Sequence, residues 1–233
     1  MGKRVKQDSL ADQIYHLIKD SIIKGELKPG DRITELDISN THGVSQAPVR
    51  EAFLRLKEDG MVVSMRHKGT FVSNLSLKDI RELYSFREKM EPLAIQLAIE
   101  NAKEQDIINL QSLFENMLEA GKLQDVDKIR NADVMFHTYI YKLANHSFMF
   151  KIWELLSAKA NRVWYLTSQV YFEDINELAL IHKPILDAFI HKDTAQCIEA
   201  FGVHLEFVKK KILSNKELEK LDEQYYRSRV GKR

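Results

Sequence analysis

Apolar residues recur at helical spacing from residue 77 to residue 213, and only short polar breaks interrupt the pattern. A periodicity of this length predicts a fold that is mainly α, because each amphipathic helix must bury its apolar face against another helix. Short connecting loops favour an antiparallel bundle. We predict about six helices, at 77–101, 104–120, 125–144, 148–170, 173–191 and 194–213. Breaks fall at Gly121, around Asn145 and around Lys192, and Pro92 and Pro184 either kink a helix or mark its first turn.

The first 75 residues show a different pattern. We predict three short helices there, a first from Asp8 or Ser9 to Gly25, a second near 34–41 and a third within 43–60. Two short β-prone runs follow, at 61–65 and 70–73, and the loop 66–69 joins them as a hairpin. Three helices followed by a small β-hairpin wing predict a winged helix-turn-helix.

The sequence therefore divides into three predicted parts. These are a winged helix-turn-helix domain at 1–75, a helical domain at 76–214 and a charged C-terminal tail at 215–233. The net charge of the whole chain is only +1, but the middle part is acidic and both ends are basic. Any contact with phosphate groups would therefore be confined to one region of the surface.

Composition excludes several classes of protein. The chain is 44% hydrophobic and 30% charged, which is ordinary for a globular protein. No apolar run approaches the length of a membrane span, and no signal peptide precedes the first helix. Cys197 is the single cysteine, so an intrachain disulfide framework is excluded. These features predict a cytoplasmic protein that does not enter a membrane.

The third short helix has a polar, basic start and an apolar back. Ser45 is a candidate N-cap, and Pro48 is tolerated in the first turn, where amides have no partner inside the helix. Val49 begins the inward-facing side, whereas Gln46 and Arg50 remain outside. A helix of this kind packs its back on a core and presents its start to the major groove of DNA. The alternative is a small helical domain with no particular role.

Four polar residues fall on otherwise apolar helix faces in the second part: Asp133, His137, His182 and His204. Asp133 and His137 are four residues apart and therefore project from one face. Burying these groups without partners would be strongly unfavourable, and a divalent cation bound by one Asp oxygen and three His nitrogens removes the penalty. We predict such a site, with zinc as the first candidate and nickel or manganese as others. The alternative is a hydrogen-bonded network of the same side chains.

Two arginines also lie on largely apolar helical stripes. Arg87 and Arg162 are candidates to bind a small organic carboxylate beside the metal. For Arg87 the alternative is a structural ion pair with Glu91, which is four residues away.

An ordered set of residues supports a resemblance to a known family: Gly25, Leu27, Pro29, Gly30, Glu35, Gly43 to Ser45, Pro48 to Ala52, Leu56, Gly60, Gly69 and Val72. On this pattern, residues 9–73 resemble the winged-helix domain of the GntR family of bacterial transcription regulators. The helical part is similar to the FCD-type ligand-binding domain of the FadR subfamily, in its shorter VanR-like branch. That second resemblance includes Arg87, Glu91, the run Asp133 to His137, His182 and His204.

The resemblance implies that the third helix and the hairpin tip contact operator DNA. The residues carried over are Ser45, Gln46 and Arg50 from the helix, and His67 and Lys68 from the hairpin. Arg50 is the strongest candidate, because a guanidinium pairs bidentately with guanine or with phosphate. The alternative for Arg50 is a salt bridge with a neighbouring acid such as Glu51 or Glu58.

We interpret the chain as a ligand-responsive transcription regulator that acts as a repressor. A homodimer would place two recognition helices about one DNA turn apart on a double-stranded operator, and a carboxylate effector would bind beside the metal. Two alternatives are a metal-dependent hydrolase with a DNA-binding head and a DNA-binding protein without an effector. The sequence has no HExxH run and no nucleophile motif, so we predict no enzymatic activity.

Overall fold

The computed structural model describes residues 9–74, 76–171 and 174–214, and the side chains of 164–171 are outside this description. The chain splits into two compact units, Met1–Leu75 and Ser76–Arg233. The predicted fold class is confirmed, because the chain is mainly α and begins with a winged helix-turn-helix. The predicted charged tail, 215–233, lies outside the described residues.

The described part of the first unit contains three helices and three strands. Their bounds are α1 Leu10–Ile23, β1 Arg32–Ile33, α2 Glu35–His42, α3 Gln46–Glu58, β2 Val62–Met65 and β3 Gly69–Val72. A capping box starts α1, in which the Ser9 hydroxyl accepts from the Asp12 amide and the Asp12 carboxylate accepts from the Ser9 amide. The buried faces of α1 and α3 pack together, with Ile18 and Leu56 fully buried between them and the rest of the unit.

The start of α3 differs in one detail from the prediction. Gly43 ends α2 in the left-handed conformation, with φ of 64°, which glycine adopts without the steric penalty of a Cβ. Ser45 occupies the N-cap position of α3 as expected, but its side chain makes no capping hydrogen bond, so that predicted bond is wrong. Ser45 and Gln46 are exposed, and water can therefore satisfy the first-turn amides instead of a side chain.

The two longer strands form the predicted hairpin. Val62 lies opposite Val72, and Met65 lies opposite Gly69 in the last pair before the tip. β1 pairs with the other edge of β3, so the strand order is β1-β3-β2. The sequence does not predict β1, because two residues are too few to show an alternation of polar and apolar positions.

The second unit is helical throughout its described residues, as α4 Leu77–Asn101, α5 Glu104–Lys122, α6 Val126–Leu143, α7 Ser147–Tyr171, α8 Asn176–Leu180, α9 Lys183–Ile190 and α10 Thr194–Leu213. Side-chain caps start several of them. Ser76 and Asp79 form a capping box for α4, while Asp125 and Asp193 accept first-turn amides of α6 and α10. No helix in the described part of the chain is long and apolar enough to cross a membrane.

The prediction of one helix over 173–191 is wrong. The chain forms α8, breaks at Ile181 and His182, and continues as α9. Pro184 lies in the first turn of α9, where its missing N–H needs no partner, whereas inside a continuous helix it would remove a hydrogen bond. Pro92, in contrast, stays inside α4. The break places His182 at the N-cap position of α9.

Gly121 lies inside α5 rather than at the expected break, since α5 continues to Lys122. A Cβ at Gly121 would lie 2.8 Å from Oδ1 and 3.0 Å from Cα of Asn176, the first residue of α8. The absence of a side chain at this position therefore allows α8 to pack directly on α5.

Gly121→Ala is expected to destabilise the protein, although alanine is about 1 kcal/mol better than glycine inside a helix. The added Cβ would meet the backbone of Asn176, which cannot move aside as a flexible side chain does. Gly202→Ala in α10 is the matched control, because nothing lies within 4 Å of its added Cβ. Urea denaturation should show a lower free energy of unfolding than the wild type for Gly121→Ala and a higher one for Gly202→Ala. A Gly121→Ala protein as stable as the wild type would contradict the close contact of α5 with α8.

Candidate metal centre and nucleic-acid interface

The predicted metal ligands come from three places in the second unit: Asp133 and His137 from α6, His182 from the break between α8 and α9, and His204 from α10. The Nε2 atoms of His137 and His182 are 3.1 Å apart. Asp133 Oδ1 lies 3.0 Å from His182 Nε2 and 3.6 Å from His137 Nε2. One ring nitrogen from each histidine lies within 4.8 Å of the others. The three histidines therefore form one cluster, with Asp133 beside two of them.

These separations fit the donor set of a bound cation. Two ligand atoms that each lie about 2.1 Å from a common ion, at angles of about 90–110°, are about 3.0–3.4 Å apart. The separations among Asp133, His137 and His182 are 3.0, 3.1 and 3.6 Å. Shifts of a few tenths of an ångström would thus let these three side chains share one ion.

A backbone hydrogen bond fixes the orientation of His182. Its Nδ1 lies 2.8 Å from the carbonyl oxygen of Leu178, and only a protonated nitrogen can donate to a carbonyl. This bond turns the Nε2 atom of His182 towards the cluster, the orientation that metal-binding histidines have. The Nδ1 atoms of His137 and His204 are buried and have no hydrogen-bond partner in the part of the chain that the structure describes. Hydrogen bonds thus leave these two nitrogens unsatisfied, and the hydrogen-bonded network stays open as the alternative to a metal site.

The protonation states suit a cation site. Burial lowers the pKa of His137 to about 4 and lowers the pKa of His204 well below its usual value. Burial acts to raise the pKa of Asp133, but the neighbouring His137 and His182 outweigh it and hold that pKa well below the ordinary range. Asp133 is therefore a carboxylate near pH 7, while His137 and His204 are neutral and can offer lone pairs.

A cavity of about 30 Å³ adjoins the cluster. Asp133, His137 and His204 form part of its wall, and the other lining residues include Tyr84, Arg87, Trp153, Ser157 and Asn161. Since one water needs about 10–15 Å³, the space holds about two water-sized groups. That is room for water bound to an ion, or for one carboxylate group.

The first unit presents the predicted DNA-contact residues on its surface. All five are exposed: Ser45, Gln46, Arg50, His67 and Lys68. Arg50 does form the salt bridge that was its alternative role, but with Glu35 of α2 and not with Glu51 or Glu58. Its Nε and Nη2 lie 3.0 and 2.9 Å from Glu35 Oε2, and 63% of the Arg50 side chain stays exposed. An exposed pair contributes at most about 1 kcal/mol, so DNA can replace Glu35 easily.

Two family profiles match the chain, and they follow the order of the two units. Residues 10–72 match the family described as "Bacterial regulatory proteins, gntR family". Residues 82–207, more than half of the chain, match the family described as "FCD domain". The chain belongs to the GntR family of bacterial regulators. The interpretation as a DNA-binding transcription regulator rather than an enzyme is thereby confirmed, whereas membership of the VanR-like branch stays a prediction.

Individual relatives agree with the family. The chain is 34% identical over 120 residues to the HTH-type transcriptional regulator YdhC of Bacillus subtilis (strain 168), a match that covers 51% of this chain and 54% of that protein. It is 30% identical over 204 residues to the probable D-xylose utilization operon transcriptional repressor of Paenarthrobacter nicotinovorans, covering 88% and 89% of the two chains. The solved structure of E. coli McbR/YncC shares the fold, with a TM-score of 0.79 at 24% identity over 89% of this chain and 99% of that one.

Arg87 of this GntR-family protein forms the ion pair with Glu91 and also lines the cavity, while its contact with an effector stays a prediction. Its Nε donates to Glu91 Oε1 at 2.7 Å, and both side chains are buried. The same guanidinium lines the cavity, 5.6 Å from the ring centroid of Trp153. Burial acts to lower the pKa of Arg87, but the adjacent Glu91 carboxylate outweighs it and raises that pKa. A fixed cation therefore stands at the cavity wall, already paired with one carboxylate.

Arg162 is buried on α7, and burial lowers its pKa to about 10. It is not among the described residues that line the cavity, although its neighbour Asn161 is. Adjacent residues of a helix point about 100° apart, so the two side chains face different surroundings. The structure gives Arg162 no place in this cavity, and its contact with an effector stays a prediction.

Sequence reasoning misses three cavity residues on α7: Trp153, Ser157 and Asn161. They are spaced four apart and therefore lie along one face of the helix. The sequence signal for this face was the spacing of two polar residues, four and eight positions after a tryptophan. Trp153 Nε1 also donates to Thr138 Oγ1 at 3.0 Å, which ties this face of α7 to α6.

Arg50→Ala is expected to remove most of the preference of the GntR-family protein for its operator. A bidentate guanidinium contact contributes about 1–3 kcal/mol of discrimination between bases, so the ratio of specific to non-specific affinity should fall about tenfold or more. Fluorescence anisotropy can measure that ratio with a duplex selected from a random pool by the wild-type protein and with a scrambled duplex.

The matched control is Lys57→Ala, which removes the same charge from the other end of α3, where Lys57 is exposed. This control variant should keep the wild-type ratio of specific to non-specific affinity. An unchanged ratio in a folded Arg50→Ala protein would show that Arg50 does not read the operator.

Proposed function

We propose that this GntR-family regulator is a metal-dependent repressor that responds to a small organic carboxylate. Its FCD unit would hold one divalent cation through Asp133, His137, His182 and His204. The observation that carries the proposal is the convergence of these side chains in one cluster. Asp133, His137 and His182 are 3.0–3.6 Å apart there, and a ring nitrogen of His204 lies within 4.8 Å of those of the other two histidines. Repression is proposed by analogy with the relative from Paenarthrobacter nicotinovorans, which is named as a probable operon repressor.

The chemistry of the donors favours particular ions. Three imidazole nitrogens and one carboxylate oxygen form a set typical of zinc, and nickel and manganese accept the same donors. A divalent cation would leave one net positive charge after pairing with Asp133. When bound, it would act as a Lewis acid that attracts an anionic oxygen from the adjoining cavity.

The cavity wall favours a carboxylate that also carries hydroxyl groups. Arg87 supplies a fixed positive charge, and Ser157 and Asn161 supply a hydroxyl and an amide. Polar neighbours of this kind can pair with the hydroxyl groups of a ligand, and Ser157 Oγ can still accept although it already donates to the Glu154 carbonyl oxygen at 3.1 Å. Small hydroxy acids are therefore better candidates for the effector than fatty acids, and a sugar acid would fit only if the cavity widened on binding.

We also propose that the regulator works as a homodimer. α4 exposes Phe86 and Leu93, and α7 exposes Phe148 and Leu155, each between 46% and 68%. The members of each pair are seven residues apart and so share one helix face, which is a surface that a second copy can cover. A dimer suits a near-palindromic operator with half-sites about one DNA turn apart. The effector would then shift DNA affinity only through a difference in its own affinity for the two states.

Protein purified without a chelator is expected to contain about one divalent ion per chain, because the buried donors bind it as part of the fold. His137→Ala and His204→Ala should each lose most of that ion, as measured by elemental analysis. His191→Ala is the matched control, since His191 is exposed on a helix end outside the cluster. Full occupancy in both cluster variants would place the ion elsewhere. A wild-type protein that takes up no zinc, nickel or manganese would refute the metal site.

A panel of hydroxy acids, sugar acids and dicarboxylates should raise the melting temperature of the metal-loaded protein. A ligand at a hundred times its Kd adds about 2.7 kcal/mol, which corresponds to about 5–10 °C for a chain of this size. The variant that tests the cavity is the double substitution Arg87→Met with Glu91→Met, because removing only one partner of a buried pair is itself destabilising.

The double variant should keep its metal and lose the response to every member of the panel. A shift equal to that of the wild type would exclude Arg87 from the binding of the effector. If no carboxylate stabilises the wild type while the metal stays bound, the regulator without an effector becomes the better description.

A further inference from the structure

Arg32 occupies the first position of β1, the strand that the sequence does not predict. It lies opposite Phe71 in β3, and its side chain reaches along the sheet towards the hairpin tip. There the guanidinium rests on Gly69, where an added Cβ would lie 3.1 Å from Arg32 Nε and 3.5 Å from Nη2. A Cβ at position 69 would be in tight contact with the guanidinium, which would have to shift by a few tenths of an ångström, and the φ of 107° at Gly69 also favours glycine.

The guanidinium of Arg32 is exposed, and no hydrogen bond or ion pair holds it among the described residues. The nearest acids in sequence are already engaged. Asp31 accepts from the backbone amide of Lys28 at 2.8 Å, and Glu35 is the partner of Arg50. The positive charge of Arg32 is therefore available to an external anion.

The position of this charge relates it to the hairpin tip. Gly69 and Met65 form the last pair of the hairpin, and the exposed tip that follows carries Arg66 and Lys68. The guanidinium lies beside Gly69, so Arg32 is at the same end of the sheet as the exposed tip residues Arg66 and Lys68. A surface of this kind attracts the phosphate backbone of DNA.

We propose that Arg32 is a further DNA-binding residue, which contacts a backbone phosphate beside the hairpin tip. The proposal rests on the DNA-binding function of the family and adds a residue that the recognition helix and the tip do not include. Guanidinium and phosphate form bidentate, charge-assisted pairs. Because Arg32 sits on a strand at the base of the tip, its contact positions the protein on the duplex and carries no base specificity.

The test is the salt dependence of binding, measured by fluorescence anisotropy between low and moderate salt. Arg32→Gln should lower affinity about five- to tenfold at 0.1 M salt and reduce the slope of log K against log salt by about 1. The loss of affinity and the reduction of the slope should each be the same for the duplex selected by the wild type and for a scrambled duplex. Arg32→Lys keeps the charge and should keep the slope, and Lys57→Gln controls for the loss of a distant charge on the same unit.

The outcomes separate this proposal from the wider function. An unchanged slope in a folded Arg32→Gln protein would mean that Arg32 only covers Gly69, and the proposal would fall. A loss confined to the selected duplex would also overturn it, because that result indicates the reading of a base. A wild-type protein that binds neither duplex would refute DNA binding itself together with the role of Arg32.

Discussion

The helical unit depends on holding a carboxylate and three imidazoles together in its interior. Each of these groups is unfavourable to bury alone, so their positions must be set within fractions of an ångström for them to share a partner. The local architecture provides that accuracy. Gly121 lets α8 pack on α5, α8 supplies the Leu178 carbonyl, and that carbonyl orients His182. Pro184 lies in the first turn of α9, which begins directly after His182.

Periodic features of the chain were predictable, and contacts between distant segments were not. The four-residue spacing of Asp133 and His137 is visible in the sequence, because helical neighbours repeat at that interval. The division between α8 and α9 was ambiguous, since a proline inside an apolar pattern allows either a kink or a new first turn. The pairing of Arg50 with Glu35 joins residues 15 apart, and no local pattern specifies which acid an arginine will reach.

The Arg50–Glu35 and Arg87–Glu91 ion pairs differ in burial, and burial decides what each pair can do. The Arg50–Glu35 pair is exposed, with 63% of the arginine side chain accessible, so water and salt weaken it and a stronger anion can take its place. The Arg87–Glu91 pair is buried, with 6% and 2% of the side chains accessible. Its guanidinium stays fixed and acts as part of the cavity wall, where it offers its remaining donors without giving up Glu91.

Burial of the Arg87–Glu91 pair also bears on how relatives of this regulator can diverge. Loss of either partner alone leaves an uncompensated charge in the interior and destabilises the fold by about 3–5 kcal/mol, a large part of the stability of an ordinary domain. If Arg87 and Glu91 are replaced one after the other, the protein with only one replacement would be marginally stable. Ser157 and Asn161 are neutral and line the same cavity, so single mutations there carry a smaller penalty. Substitutions that change the cavity wall should therefore accumulate on α7, while Arg87 and Glu91 are inherited together.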